Sequence, residues 1–149
     1  MANGRKVKKI ILHCSDSAYG EKKYLTDLHR QRGIDEVGYH FIILNGYLKP
    51  TGDYIPKMDG QMQPGRSILV PGNHCLGHNE DSIGVCLIGR HLFSARQLLE
   101  TLQDLLVELM LQFDLEPKDI YGHYELEEGK NCPITCPNIN MDMIRRLFV

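Results

Sequence analysis

Side chains that can bind a metal are concentrated in a glycine-interrupted stretch near the end of this 149-residue chain. His123 and Cys132 lie in that stretch, and Lys130 comes two residues before the cysteine. Zinc binds imidazole nitrogen at about 2.0–2.1 Å and thiolate sulfur at about 2.3 Å. Two ligands do not complete a site, so a third must come from elsewhere in the chain.

The third ligand is predicted to be His13, which directly follows the apolar run Ile10-Ile11-Leu12. A histidine at the end of a buried strand is held rigidly at an edge of the sheet. Three protein ligands with an open fourth position are typical of catalytic zinc, whereas structural zinc is usually four-coordinate. The sequence therefore predicts one catalytic zinc ion per chain, held by His13, His123 and Cys132.

Other cysteines and histidines compete with this assignment. Cys136 is a rival thiolate, and its spacing from Cys132 falls in the range that structural zinc hooks use, although no second pair accompanies it. His74 and His78, with Cys75 between them, can also chelate a metal. The preferred interpretation of these two histidines is that they shape the wall of a groove.

Composition and charge exclude several classes of protein. A formal net charge of −2 without a dominant basic stripe argues against a nucleic-acid partner. The basic start of the chain leads into a very short apolar run, whereas a secretory signal has about 7–15 apolar residues there. No stretch has the length that a membrane-spanning helix needs. We therefore expect one soluble domain over residues 1–149, monomeric and cytoplasmic on synthesis.

Hydrophobic patterning predicts the elements that would position the site. Strands are predicted at 6–13, 37–44, 47–49, 82–88 and 120–122, with a hairpin turn at Asn45-Gly46. Helices are predicted at 26–32, from the capping box Ser94-Ala95-Arg96-Gln97 to just before Pro117, and from Asn140. Residues 50–79 lack periodicity and are expected to form a long functional or mobile loop. The order β-α-β-β-β-α-β-α indicates an α/β fold, a central mixed sheet of about five strands flanked by helices, with the zinc site at the sheet edge.

Four motifs, in this order along the chain, resemble one protein family. They are Ile11-Leu12-His13-Cys14-Ser15, Gly38-Tyr39-His40-Phe41-Ile42-Ile43, the segment 72–85, and Gly122-His123-Tyr124-Glu125 followed by Lys130-Asn131-Cys132-Pro133. Together they resemble the zinc-dependent type-2 N-acetylmuramoyl-L-alanine amidases. That family includes small phage lysozymes and the animal peptidoglycan-recognition proteins. The resemblance runs from about Lys9 to the C-terminal helix.

The resemblance implies a reaction and a set of residues for it. The reaction is hydrolysis of the amide between N-acetylmuramic acid and L-alanine in peptidoglycan. The resemblance implies zinc on His13, His123 and Cys132. It also makes Tyr39 and Lys130 the polar catalytic pair.

The resemblance further implies the partners of the protein. It places His74 and Asn79 on the substrate side, so peptidoglycan and its muropeptides are the expected ligands. A phage or prophage endolysin acts on the cell wall once it is released or exported. The alternatives are a peptidoglycan-binding module with little turnover and a regulatory module that binds another protein. Cys132 favours the enzyme, because relatives that only bind peptidoglycan typically lack the cysteine ligand.

Overall fold

A five-stranded mixed sheet forms the centre of the protein, which this computed structural model describes over residues 5–126 and 136–148. The sheet has the order β3-β2-β4-β1-β5. Strand β1 runs parallel to β4 and β5, β2 runs parallel to β4, and β3 is antiparallel to β2. The strands are β1 (Lys9–Cys14), β2 (Phe41–Asn45), β3 (Asp59–Pro64), β4 (Ser82–Leu87) and β5 (Ile120–Gly122).

Helices cover both faces of this sheet. Helix α1 (Lys22–Gln31) packs on one face through Leu25. A π-helical segment (Arg96–Leu102) continues into helix α2 (Gln103–Phe113), whose leucines pack on the other face together with helix α3 (Met141–Arg146). The mixed sheet of five strands flanked by helices, predicted from the sequence, is confirmed. No helix in the described part of the chain is long and apolar enough to cross a membrane.

Side-chain alternation along β1 explains why His13 faces the α1 side. Ile10 and Leu12 belong to the apolar cluster under α2, and successive residues of a strand point to opposite faces. His13 is paired in register with Cys86, which lies in the apolar cluster on the α1 side. His13 is therefore buried and rigid at the carboxyl end of a central strand.

The third strand lies further along the chain than the patterning predicts. The predicted strand at 47–49 and its Asn45-Gly46 hairpin are wrong, because Asp59–Pro64 pairs with β2 instead. Strand β3 is an edge strand with largely polar residues, of which only Asp59 is buried. The pairing of β3 rests on backbone hydrogen bonds, so its sequence has no hydrophobic alternation that would predict a strand. Part of the predicted loop at 50–79 is therefore regular structure.

The predicted start of helix α1 needs correction, whereas the predicted start of helix α3 is confirmed. Helix α1 begins at Lys22, before the predicted start, and Thr26 is not its cap: its hydroxyl donates to the Lys22 carbonyl inside the helix. The first turn is exposed and polar, so it carries no apolar signal. Asn140 does cap α3 as predicted, but the helix buries Met141 and Ile144 and leaves Met143 exposed.

The predicted capping box at the start of the long helix is confirmed, and it also anchors the sheet. The Ser94 amide donates to the Gln97 side chain, and the Gln97 amide donates to the Ser94 hydroxyl. The buried Gln97 amide group donates in addition to the carbonyls of Ile43 and Ile88. This side chain therefore connects the ends of β2 and β4 to the helix that covers them.

Candidate metal centre

Three metal-ligating side chains meet at the carboxyl ends of two neighbouring strands. His13 lies near the end of β1, and His123 directly follows β5. The ligand atoms of His13, His123 and Cys136 all lie within 4.8 Å of one another. The two imidazole rings have centroids 4.5 Å apart. Two imidazoles and a thiolate at these separations fit the donor set that zinc prefers.

Backbone contacts bring Cys136 to this position. The Tyr124 amide donates to the Cys136 carbonyl at 2.9 Å, which holds Cys136 beside the turn that carries His123. The Cys14 amide donates to the Cys136 sulfur at 3.4 Å, a contact that favours the thiolate form of a ligand. Cys132 and Lys130, the other predicted site residues of this segment, lie outside the described residues. The thiolate that the structure brings to His13 and His123 is therefore the predicted rival, Cys136.

A cavity of about 510 Å³ opens over these side chains. It is lined by His13, His123 and Cys136, by Tyr39, His74 and Asn79, and by residues of α1 and the segment after it. Arg32 and Asn73 also line the cavity, although neither was among the site residues predicted from the sequence. No motif around either residue indicates a functional site, because only the fold brings these two residues to the cavity.

Tyr39 reaches the cavity from the segment just before β2. Its ring centroid lies 5.0 Å from that of His13. Gly38, the preceding residue, packs so closely on the Asn73 backbone that a Cβ there would overlap the Asn73 carbonyl oxygen. His29 accepts the Gly38 amide on Nδ1 at 2.9 Å, and its ring centroid lies 5.3 Å from that of Tyr39. His40 points away into contacts with Gly84 and Val70, as strand alternation predicts.

His74 and Asn79 belong to one ordered loop beside His13. The Asn79 side-chain oxygen accepts the amides of both His74 and Cys75, at 2.8 and 2.9 Å. The His74 ring lies within hydrogen-bond distance of His13, with 2.8 Å between His74 Nδ1 and His13 Nε2. Both residues line the cavity, and His74 also contacts a residue of the candidate metal centre.

Comparison with known proteins gives the family. A family model described as N-acetylmuramoyl-L-alanine amidase matches residues 3–135. The chain belongs to this family. The endolysin of Escherichia phage T7 is 30% identical over 142 residues, which cover 89% of this chain and 81% of that protein. The endolysin of Klebsiella phage KP32 is 27% identical over 148 residues, covering 92% of this chain and 84% of that protein.

Solved structures agree on the fold of this amidase. The N-acetylmuramoyl-L-alanine amidase LysC from Clostridium intestinale URNW superposes with a TM-score of 0.77 at 21% identity, covering 95% of this chain and 85% of that one. Drosophila PGRP-LB superposes with a TM-score of 0.65 at 22% identity, covering 96% of this chain and 78% of that one. The resemblance to type-2 amidases stated from the sequence motifs is confirmed.

Burial sets the protonation states of the amidase site. It lowers the pKa of His13 well below the ordinary value, and the neighbouring His74 and His123 add to that effect. Burial also lowers the pKa of His74, to about 3. Neutral imidazole is the form that binds a metal, so these shifts favour ligation at neutral pH. Burial raises the pKa of Tyr39 well above its ordinary value, so this side chain remains a hydroxyl donor.

A bidentate ion pair fixes the turn that carries His123. Arg145 of α3 donates to both carboxylate oxygens of Glu125, at 3.0 and 2.9 Å, and the Gly122 amide donates to Glu125 Oε1 at 2.8 Å. Burial by itself would raise the pKa of Glu125. The hydrogen bonds from Arg145 and Gly122 outweigh burial, so the pKa of Glu125 is lowered.

We expect Glu125→Gln to lower the free energy of unfolding at pH 7 by about 1–2 kcal/mol, because the amide keeps one oxygen that can accept from Arg145 while its NH2 group cannot accept the second hydrogen bond. A carboxylate with a lowered folded-state pKa stabilises the fold above its unfolded pKa of about 4.3 and loses that effect as pH falls through the folded value. The difference from wild type, measured by urea denaturation, should therefore shrink in acid. Asp142→Asn, at the more exposed carboxylate beside Arg145, should cost less. An equal difference at pH 7 and at pH 3 would contradict the ion-pair argument.

Proposed function

We propose that this amidase cleaves the bond between the lactyl group of N-acetylmuramic acid and L-alanine with one zinc ion, held by His13, His123 and a cysteine thiolate. Family membership supplies the class of bond. The observation that carries the metal assignment is the convergence of two imidazoles and one cysteine sulfur within 4.8 Å in the cavity. Three protein ligands are the number that a catalytic zinc takes.

We propose Cys136 as the third ligand of this site. Its sulfur belongs to the group of converging ligand atoms, and it receives the Cys14 amide. Cys136 and Pro137 also lie a few residues before helix α3, whose packing on the sheet fixes where this part of the chain runs. The family match ends at residue 135 and includes Cys132, so Cys132 is the competing ligand that an experiment must separate from Cys136.

The protein's own residues position the amide and stabilise charge as it is hydrolysed. His13, His123 and the cysteine would hold a zinc ion that, when bound, would supply Lewis-acid polarisation and lower the pKa of water toward about 7. Tyr39, kept protonated by burial, donates a hydrogen bond to the oxyanion that develops on the attacked carbonyl. Lys130 is proposed as the second donor to this charge. Asn79 keeps the loop of His74 in place on the substrate side of the cavity.

The charges around the cavity favour amide over glycoside hydrolysis. A glycosidase needs two carboxyl groups about 5–9.5 Å apart across the sugar bond. Among the described residues that line the cavity, Asp16 is the only carboxylate, and it is paired with Arg90 at 3.2 Å. The described part of the site therefore offers a place for an oxyanion and lacks the pair of acids that a glycosyl transition state requires.

We expect digestion of purified peptidoglycan to release stem peptides with new N-terminal alanine and to leave the glycan strands long. Mass spectrometry of the soluble products measures both. The His13→Ala protein is the control, and we expect it to release no stem peptides and to generate no new N-terminal alanine. Binding to peptidoglycan without release of peptides would favour a binding module. New reducing sugar ends without N-terminal alanine would refute amidase activity.

The relatives support a biological setting for this reaction. Two relatives that this chain matches over more than four-fifths of their length are phage endolysins. We propose that this chain lyses the cell wall from within after release or export, and that it acts on peptidoglycan as a monomer. Sedimentation analysis of the zinc-loaded protein tests the oligomeric state, and a pull-down from host lysate tests for a regulatory protein partner.

A further inference from the structure

A line of hydrogen bonds leads from the candidate metal centre into the protein interior. His13 Nε2 lies 2.8 Å from His74 Nδ1. The other nitrogen of the same ring, His74 Nε2, lies 3.2 Å from the Ser82 hydroxyl oxygen. That hydroxyl donates to the His78 carbonyl oxygen at 2.6 Å. Ser82 is fully buried at the first position of β4, so the line ends on a rigid element.

The direction of each hydrogen bond in this line follows from its last acceptor, the His78 carbonyl oxygen. A backbone carbonyl can only accept, so the single Ser82 hydroxyl proton points at the His78 oxygen. The Ser82 oxygen must then accept, which places a proton on His74 Nε2. A neutral His74 with that proton has a lone pair on Nδ1, and this lone pair requires a proton on His13 Nε2. The lone pair of His13 consequently lies on Nδ1, the nitrogen left for a metal.

The surroundings of His74 keep its ring from turning. A Cβ added at Gly72 would lie 2.6 Å from the His74 ring, and one added at Gly84 would lie 2.7 Å from it. Two glycines therefore form a slot that the imidazole fills. Asn79 binds the His74 amide, which fixes the backbone of the same residue. A ring packed closely against two glycines and within hydrogen-bond distance of a partner at both nitrogens has a single orientation toward His13.

We propose that His74 and Ser82 are positioning residues that hold His13 as its Nε2–H tautomer and so present His13 Nδ1 to the metal. This inference rests on the proposed zinc site and specifies how the protein prepares one ligand for it. Neither residue needs to touch substrate or metal for this role. Partners of this kind orient a ligand ring and raise its basicity, and removing one typically costs 10–100-fold in metal affinity.

Nuclear magnetic resonance of protein labelled with ¹⁵N-histidine tests the tautomer directly. Long-range correlations from ring nitrogen to ring carbon-bound protons separate Nδ1–H from Nε2–H. His29 and His40 provide internal references, because each accepts a backbone amide on Nδ1 and must carry its proton on Nε2. We expect His13 to show Nε2–H in the zinc-loaded wild-type protein. An Nδ1–H signal from His13 there would overturn the inference.

Zinc affinity, measured by competition with a chelator, tests the two positioning residues. We expect His74→Ala to weaken zinc binding by about 10–100-fold. His74→Gln should restore part of the loss, since its carbonyl oxygen can accept from His13. Ser82→Ala should weaken binding by less, because His74 remains but its tautomer is no longer fixed. His91→Gln is the control: it removes an exposed histidine that does not line the cavity and should leave zinc affinity within twofold of wild type.

The outcomes separate this inference from the proposed function. A wild-type protein that binds no zinc refutes the proposed metal site itself. Tight zinc binding by wild type and equally tight binding by folded His74→Ala overturns only the positioning role. Thermal unfolding of the metal-free variants identifies any that fail to fold. In that case the wild-type tautomer and the His74→Gln affinity still decide the question.

Discussion

Replacing Cys136 with alanine is expected to abolish zinc retention and amidase activity together, while Cys132→Ala keeps both. The Cys136 sulfur lies with the ligand atoms of His13 and His123 within 4.8 Å, so its removal leaves two imidazoles. A two-ligand site loses the thiolate, the only anionic donor of the proposed set, and with it most of the affinity for a divalent ion. Elemental analysis after dialysis, followed by release of stem peptides from peptidoglycan, measures the two losses.

The two cysteines are matched controls for each other. Both precede a proline, and the contacts with Tyr124 and Cys14 bring Cys136 to the histidines. Stoichiometric zinc in Cys136→Ala would contradict the proposed ligand. Loss of zinc in Cys132→Ala, with Cys136→Ala unaffected, would instead assign the third ligand to Cys132. Loss in both variants would indicate that the segment as a whole shapes the site.

The central strands and their histidines could be predicted from the sequence because burial leaves a strong pattern there. The run before His13 is apolar on both faces, which is the signature of a strand covered by helices on both sides. The end of such a strand is a fixed place, so a histidine there was a sound candidate ligand. Ser94 and Gln97 were predictable for a similar reason, since a reciprocal cap needs only local spacing.

Strand β3 could not be predicted because backbone hydrogen bonds to β2, and not buried apolar side chains, hold it in the sheet. Its side chains are mostly polar, and the pairing with β2 depends on where the chain returns after Gly46. The sequence pattern likewise could not decide between Cys132 and Cys136 as the third ligand. Both carry the same chemistry, and the sequence does not show which sulfur the packing of α3 brings to the histidines. The contact of His74 with His13 likewise depends on loop geometry, which spacing along the chain does not reveal.

Tyr39→Phe is expected to lower kcat by about 10²–10³-fold while the protein keeps its zinc, because one preorganised donor to the oxyanion is lost. The hydroxyl is removed from a partly buried ring that otherwise keeps its contacts with His13 and His29. Kinetics on a soluble muropeptide should show the loss in kcat more than in KM, since the hydrogen bond forms with charge that develops in the transition state. Tyr47→Phe, at an exposed tyrosine that does not line the cavity, is the matched control.

The pH dependence of this variant separates a donor from a proton acceptor. Burial raises the pKa of Tyr39 well above 10, so the phenol is protonated throughout the range in which the enzyme can be assayed. The ratio of wild-type to Tyr39→Phe rates should therefore be constant between pH 6 and 9, and the two profiles should run parallel. A ratio that falls toward one as the pH is lowered would mean that Tyr39 acts as an ionised base. Unchanged kcat with full zinc content would remove Tyr39 from the catalytic residues and leave the oxyanion to other donors.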